Sequence, residues 1–119
     1  MKLTRIDASH PLFEASFTLY EASFPPNERR MREDHLRALQ DADFSPLGAV
    51  EDGMLLADVF LWETEDFCYL EHFAVQPSLR GHGTGSTLLR QLLQREKPLI
   101  LEIELPEGKE DVVTQFNDA

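Results

Sequence analysis

Three of the chain's six glycines, Gly81, Gly83 and Gly85, fall within five positions of the stretch QPSLRGHGTGSTLLRQLL at residues 76–93. The residues before it, FCYLEHFAVQ, are apolar and aromatic on both parities, which suits a strand inside a sheet. Those after it set Leu88, Leu89, Leu92 and Leu93 on one face of a helix running from about Gly83 to Arg95. The chain must therefore pass from a buried strand to a helix through several bare backbone positions. Each of those positions weakens the fold. A compensating use for the turn has to be sought.

The first turn of a helix carries N–H groups without intrahelical partners, and the helix dipole adds partial positive charge there. Glycines ahead of it allow positive φ and remove side chains that would hold an anion off. The backbone from Arg80 through Gly81, His82, Gly83, Thr84 and Gly85 to Ser86 is thus read as a phosphate cradle, with Arg80 adding a full charge. A P-loop is excluded because Ser86-Thr87 follows Gly85 without a lysine. The dinucleotide fingerprint is excluded because the spacing is Gly-x-Gly-x-Gly and not Gly-x-Gly-x-x-Gly. The plain alternative, a tight strand-to-helix turn, needs fewer glycines and no arginine.

Around this turn the other elements follow from periodicity and punctuation. KLTRI reads as a short opening strand. Leu12, Phe13, Phe17, Leu19, Tyr20 and Phe24 fall near helical spacing over Pro11 to Phe24, with Ser9 as the cap and Pro25-Pro26 as the stop. NERRMREDHLRALQDA reads as a second helix with Met31, Leu36 and Leu39 as its apolar stripe. Two apolar runs flank Glu51-Asp52-Gly53, and Asp-Gly favours a tight hairpin. LILEIEL is a fifth strand, Leu99, Leu101, Ile103 and Leu105 alternating with Ile100, Glu102 and Glu104. The order is β-α-α-β-β-β-α-β within a single domain spanning residues 1–119, ending in a short tail at 106–119.

Composition narrows the function classes. Twenty-two acidic against eleven basic side chains give a net charge of −11, which works against nucleic acid and anionic lipid as partners. The same balance suits a cationic small substrate or partner, and it also serves solubility. MKLTRIDASH carries no apolar signal core and no stretch reaches membrane-span length, so a cytoplasmic location is expected. The one cysteine, Cys68, lies in an apolar run and is expected to be a buried, inert thiol. The four histidines show no metal spacing, and no metal is expected.

Arg80-Gly81-His82-Gly83-Thr84-Gly85 resembles the Arg/Gln-x-x-Gly-x-Gly/Ala motif of the GNAT superfamily of N-acetyltransferases. YLEHFAVQPSLRG looks like the superfamily's fourth strand and its exit, EASFPPNERR is similar to the end of its first helix in some members, and the element order agrees. The likeness covers roughly residues 1–105 and is most specific over 69–89. It implies an α/β (α+β) fold with a mixed, mainly antiparallel sheet of about five strands flanked by helices. It also implies acetyl-coenzyme A as acyl donor. The diphosphate would lie on the amides of Arg80 through Ser86. The pantetheine arm would run along Phe73, Ala74 and Val75, using the main chain of Phe73 and Val75, where the fourth and fifth strands splay apart. Transfer would be direct, an amine attacking the thioester carbonyl.

A protonated amine is not a nucleophile, so a base is needed. The resemblance points to Glu71, which alternation sets on one face with Tyr69, Phe73 and Val75. A solvated edge position or a structural ion pair is the other reading of Glu71. His72 falls on the opposite face by the same parity and reads as a hydrogen-bonded core or interface histidine. His82 occupies a variable motif position; His10 and His35 have no ligand-like partner. Arg29 and Arg30 read as a solvated helix start that could also border the cleft.

The chain departs from the family pattern after its fifth strand. Fourteen residues follow Leu105, enough for one element, and Val112, Val113 and Phe116 would give a short helix a weak apolar face. No tyrosine follows Tyr69, so the family's usual general acid has no counterpart. LILEIEL is then expected to be an open edge that pairs with a second copy, giving a homodimer through the fifth strand or the tail. Two functions follow as expectations: an N-acetyltransferase for a small-molecule or peptidyl amine, or a weak or inactive GNAT-like module that binds coenzyme A or a protein without turnover.

Overall fold

The structure is a computed structural model and describes residues 1–95, 97–104 and 110–115. The elements run β1 (Lys2–Arg5), α1 (Phe13–Ser23), a 3-10 turn (Pro26–Glu28), α2 (Arg32–Ala38), β2 (Phe44–Glu51), β3 (Met54–Glu63) and β4 (Cys68–Val75). A second 3-10 turn (Pro77–Leu79), α3 (Thr84–Leu93), β5 (Leu99–Glu104) and β6 (Glu110–Gln115) follow. The strands form one sheet in the order β1-β2-β3-β4-β5-β6, antiparallel throughout except for the parallel pair β4–β5.

The hairpin between β2 and β3 is built as its sequence demands. Glu51 pairs with Met54, and Asp52 and Gly53 take φ values of 52° and 75°. Two consecutive left-handed residues match the twist of a tight hairpin, which is why an Asp-Gly pair stands there. One sheet face packs on α3, where Leu88 and Leu92 meet Ala49, Ala57, Val59, Leu61, Cys68, Leu70 and Leu99. The other packs on α1, with Phe17 and Tyr20 against Phe44 and Phe60. Central β3 is apolar on both faces because helices cover it on both sides.

The structure revises several of the expectations. α1 begins at Phe13, and Ser9 is no cap: its hydroxyl donates to Asp7 Oδ1 at 2.8 Å while His10 Nδ1 accepts the Leu12 amide at 3.0 Å. In α2 the residue buried against the core is His35, whereas Met31 stands 74% exposed ahead of the helix. Where a short helix is expected in the tail, the described residues 110–115 form a strand, and Phe116 lies outside the described residues. β6 pairs antiparallel with β5 from Leu99↔Gln115 to Glu104↔Glu110. With β4 on one side and β6 on the other, β5 is an interior strand, so the open edge expected of LILEIEL does not exist. Pairing with an adjacent strand overrides the weak helical spacing of so short a segment.

Candidate active site

The glycine turn has the geometry its composition called for. Gly81 and Gly83 hold φ values of 85° and 80°, and Gly83 is the residue from which α3 starts. Any side chain would be strained at these two positions. The first bond of α3 runs from the Thr87 amide to the Gly83 carbonyl at 3.0 Å, which leaves the amides of Thr84, Gly85 and Ser86 unspent. Those of Gly81 and Gly83 likewise have no acceptor among the described residues. Two members of the expected cradle are already engaged. The Arg80 amide donates to Pro77 O at 3.4 Å and that of His82 to Leu79 O at 3.3 Å, because the 3-10 turn Pro77–Leu79 closes on them.

The unspent amides border a hollow of about 330 Å³ lined by Val75, Leu79, Arg80, Gly81, Gly83, Thr84, Gly85 and Ser86. His82 is not on its wall. Arg80 Nε donates to Val75 O at 3.1 Å, which ties the exposed guanidinium to the end of β4. Gly85 lies close to β4: a Cβ there would stand 3.5 Å from Phe73 Cε1 and 3.7 Å from Val75 Cγ2. The donors, the cation and the space are those a diphosphate requires.

From this hollow β4 leads to a second. β4 and β5 pair only over Cys68–Leu70 and Leu99–Leu101, and beyond Leu70 they part. The opening holds a cleft of about 290 Å³ lined by Phe24, Leu70, Glu71, His72, Phe73, Leu89 and Leu101. Phe24 comes from the α1 side of the sheet and Leu89 from the α3 side, so the cleft reaches both faces. Ala74 is buried against Leu19 and Leu55 and faces neither hollow.

A bulge in β4 sets what faces the cleft. The register passes from Phe60↔His72 to Leu61↔Leu70 and leaves Glu71 as the extra residue. Simple alternation therefore fails. Phe73 and Val75 pack with the α3 cluster, while Glu71 turns to the other face, where its Oε2 accepts from Trp62 Nε1 at 2.7 Å and its Oε1 from Arg30 Nη1. His72 shares that face instead of opposing it. Its ring packs on Tyr20 and Phe24 at centroid distances of 4.8 and 4.3 Å, and Nε2 lies 3.6 Å from Glu71 Oε1. Burial pushes His72 below the ordinary imidazole range, against the opposing pull of Glu71.

Trp62 is the site residue of which the sequence gives no sign, and Arg30 enters there only as one of two arginines that could border the cleft. Arg30 is not a solvated helix start: its guanidinium also stands over Phe44 and Tyr20 and lies 3.2 Å from His35 Nδ1. Arg29 is likewise employed, its Nη1 donating to the Glu21 and Phe24 carbonyls at the end of α1. The one hint was position, two arginines directly after the Pro25-Pro26 stop. Burial and Arg30 lower His35 to about 4, so its ring is neutral near pH 7. Cys68 is buried and donates to Glu63 Oε1 at 3.1 Å. Burial and that carboxylate push its thiol up to about 11. Among the described residues no three His, Cys, Asp or Glu side chains converge to hold a metal, and no helix is long and apolar enough to cross a membrane.

The pattern of the acetyltransferase (GNAT) family matches residues 10–105. Among curated proteins no relative matches. A putative GNAT-family acetyltransferase from Bacteroides thetaiotaomicron superposes with a TM-score of 0.83 at 28% identity, over 89% of this chain and 62% of its own. The chain thus spans less than two thirds of that relative's length. The ribosomal-protein-S18-alanine N-acetyltransferase of Escherichia coli gives a TM-score of 0.69 at 16% identity, over 95% of this chain and 90% of its own. An aminoglycoside 6'-N-acetyltransferase complexed with coenzyme A gives 0.66 at 15%, over 86% of this chain and 61% of its own. The latter two show the shared fold alone.

Proposed function

The chain belongs to the acetyltransferase (GNAT) family, and we propose that it is an N-acetyltransferase, moving the acetyl group of acetyl-coenzyme A directly onto a primary amine. What supports this reading above all is the set of unspent amides at Gly81 and Gly83–Ser86, opening on a hollow that β4 joins to a cleft containing a carboxylate. The diphosphate would be held by those amides and by Arg80. The acyl arm would run along β4 past Val75 and Phe73, where β5 has parted from it.

The chemistry at the cleft is then brief. The amine nitrogen attacks the thioester carbonyl carbon, the C–S bond breaks, and the thiolate leaves. Glu71 is the group placed to take the ammonium proton, directly or through one water. The departing thiolate takes up a proton from solvent or from the amine's released proton by way of water. A net charge of −11 favours a cationic acceptor. Relatives named for aminoglycosides and for a ribosomal protein make a small polyamine-like molecule and a peptide N-terminus the two acceptor classes to try. The reading places the reaction in the cytoplasm. Of the two routes to a homodimer, the fifth strand and the tail, the tail strand β6 is the one at a sheet edge, since β5 is enclosed.

One observation favours the second reading, a module that binds coenzyme A without turnover: both oxygens of Glu71 are occupied by protein donors. Melting with and without acetyl-coenzyme A, followed by thiol release against an aminoglycoside and an alanyl peptide, separates the two. A ligand that binds only the folded state must raise Tm. A shift with thiol release supports the enzyme; a shift alone supports the module; no shift removes both.

A further inference from the structure

Glu71 is the extra residue of a bulge, so strand pairing does not fix where its carboxylate points. Something outside β4 must do so. Trp62 Nε1 on β3 holds Oε2 at 2.7 Å, and Arg30 Nη1 holds Oε1 from a position 41 residues earlier in the chain. Arg30 lies between the turn Pro26–Glu28 and α2, in neither element. Its own place is nevertheless defined on several sides. The guanidinium carbon stands 5.1 Å from the Phe44 ring centroid and 5.6 Å from that of Tyr20. Its Nη2 meets His35 Nδ1 at 3.2 Å, and its amide donates to the Tyr20 hydroxyl. A neutral His35 can accept that bond only at Nδ1, which fixes its proton on Nε2.

Stability alone is a poor reason for such a pair. The Arg30 and Glu71 side chains are 19% and 21% exposed, and an ion pair so far withdrawn from water adds little over an apolar replacement. Orientation is what it supplies. We propose that Arg30 is the positioning residue of the acceptor site, holding the Glu71 carboxylate at the cleft in one orientation and passing to it the placement of α1 and α2. The inference deepens the reading of Glu71 given above and rests on it for its catalytic consequence. The groups facing this carboxylate are Arg30, Trp62 and His72, with Tyr20 and His35 behind them.

Trp62 is the one tryptophan of the chain, so its emission reports on the carboxylate it touches without any need for turnover. Emission at neutral pH should differ between wild type and Glu71→Gln, in which Trp62 Nε1 no longer donates to a carboxylate. Arg30→Gln should carry the emission at least half of the way toward that of Glu71→Gln, because a carboxylate that has lost its second anchor no longer stays in one orientation on the indole N–H. Arg30→Lys should restore most of the wild-type emission. In turnover, Arg30→Gln should lower kcat/KM about tenfold or more, and Arg30→Lys should recover most of the loss. The acetyl-coenzyme A thermal shift should persist, since the phosphate hollow lies at the other end of β4.

Emission unchanged in Arg30→Gln overturns the proposal, as does unchanged turnover. Should Arg30→Gln fail to fold, Arg30→Met carries the same test, since it keeps an apolar stem over Phe44 and Tyr20 and removes the cation. If wild-type protein releases no thiol with either amine class, the enzymatic reading falls. The response of Trp62 emission still decides, by itself, whether Arg30 positions Glu71.

Discussion

The hydroxyl of Ser16 on α1 donates to Asp58 Oδ1 on β3 at 2.7 Å, joining the helix that borders the cleft to the central strand. Asp58 is 1% exposed, and its Oδ2 has no hydrogen-bond partner among the described residues. Burial raises this carboxyl from 3.8 to about 8, Ser16 opposing in part. The folded chain therefore keeps a proton that the unfolded chain has lost over that interval. Its contribution is fully present below the unfolded value and is lost as pH climbs through the folded one. Between about pH 4 and pH 8 the loss amounts to several kcal/mol, at ~1.4 kcal/mol per unit. Asp58→Asn should flatten this dependence: little change in Tm at pH 4.5, and a Tm above wild type at pH 8.5 by about 10 °C or more. Thermal melts of the two proteins across that range, compared by difference, measure it.

At Gly83 two substitutions separate backbone from ligand effects. A Cβ would meet nothing within 4 Å, so the penalty of Gly83→Ala comes from φ of +80° and amounts to about 1–2 kcal/mol. Gly83→Glu adds to that strain a carboxylate at the mouth of the proposed diphosphate hollow. It should melt within a few degrees of Gly83→Ala yet show no stabilisation by acetyl-coenzyme A, whereas Gly83→Ala should retain a reduced shift. Equal shifts in the two variants would detach the glycine turn from cofactor binding.

The parts of this site that were legible in the sequence are those written in local chemistry. Gly81 and Gly83 announce left-handed backbone, Asp52-Gly53 announces a hairpin, and the leucines of α3 announce its buried face. None of these needs knowledge of another segment. Glu71 was legible as a residue but not as a geometry. Its direction depends on a bulge set by the Phe60/Leu61 register of β3, and one added residue reverses every parity argument beyond it. Arg30 reads in the sequence as a solvated helix start that could also border the cleft, because its partner lies 41 positions away. The tail reads as a short helix with a weak apolar face because Val112, Val113 and Phe116 carry no decisive period. β5 beside residues 110–115 supplies the ladder that makes a strand.

Replacing Glu71 by Gln keeps its shape while removing the charge and the capacity to accept a proton. Acetyl-coenzyme A should stabilise the variant as it does the wild type, since the amides and Arg80 are untouched. Thiol release with an aminoglycoside or an alanyl peptide should fall by about 10²-fold or more if Glu71 is the base. Steady-state kinetics, with the thermal shift as control, give the answer. Turnover equal to wild type would leave Glu71 as the structural partner of Arg30 and Trp62.

Gly85 tests whether the two hollows act as one site. Unlike Gly81 and Gly83, it has no positive φ, so a side chain there meets no backbone strain. A Cβ would touch Phe73 Cε1 at 3.5 Å and Val75 Cγ2 at 3.7 Å, both ordinary contacts, so Gly85→Ala should fold with Tm close to wild type. Gly85→Leu would carry further carbons past these rings, towards the passage that an acyl arm must follow from one hollow to the other. It should fold, because the hollow offers room, and should lose stabilisation by acetyl-coenzyme A while keeping some by the diphosphate-bearing nucleotide half of the molecule alone. Calorimetric titration of both variants with the whole cosubstrate and with that half distinguishes a blocked passage from a damaged phosphate cradle. Were Gly85→Leu to bind the whole cosubstrate as wild type does, the arm would have to travel by a path other than β4.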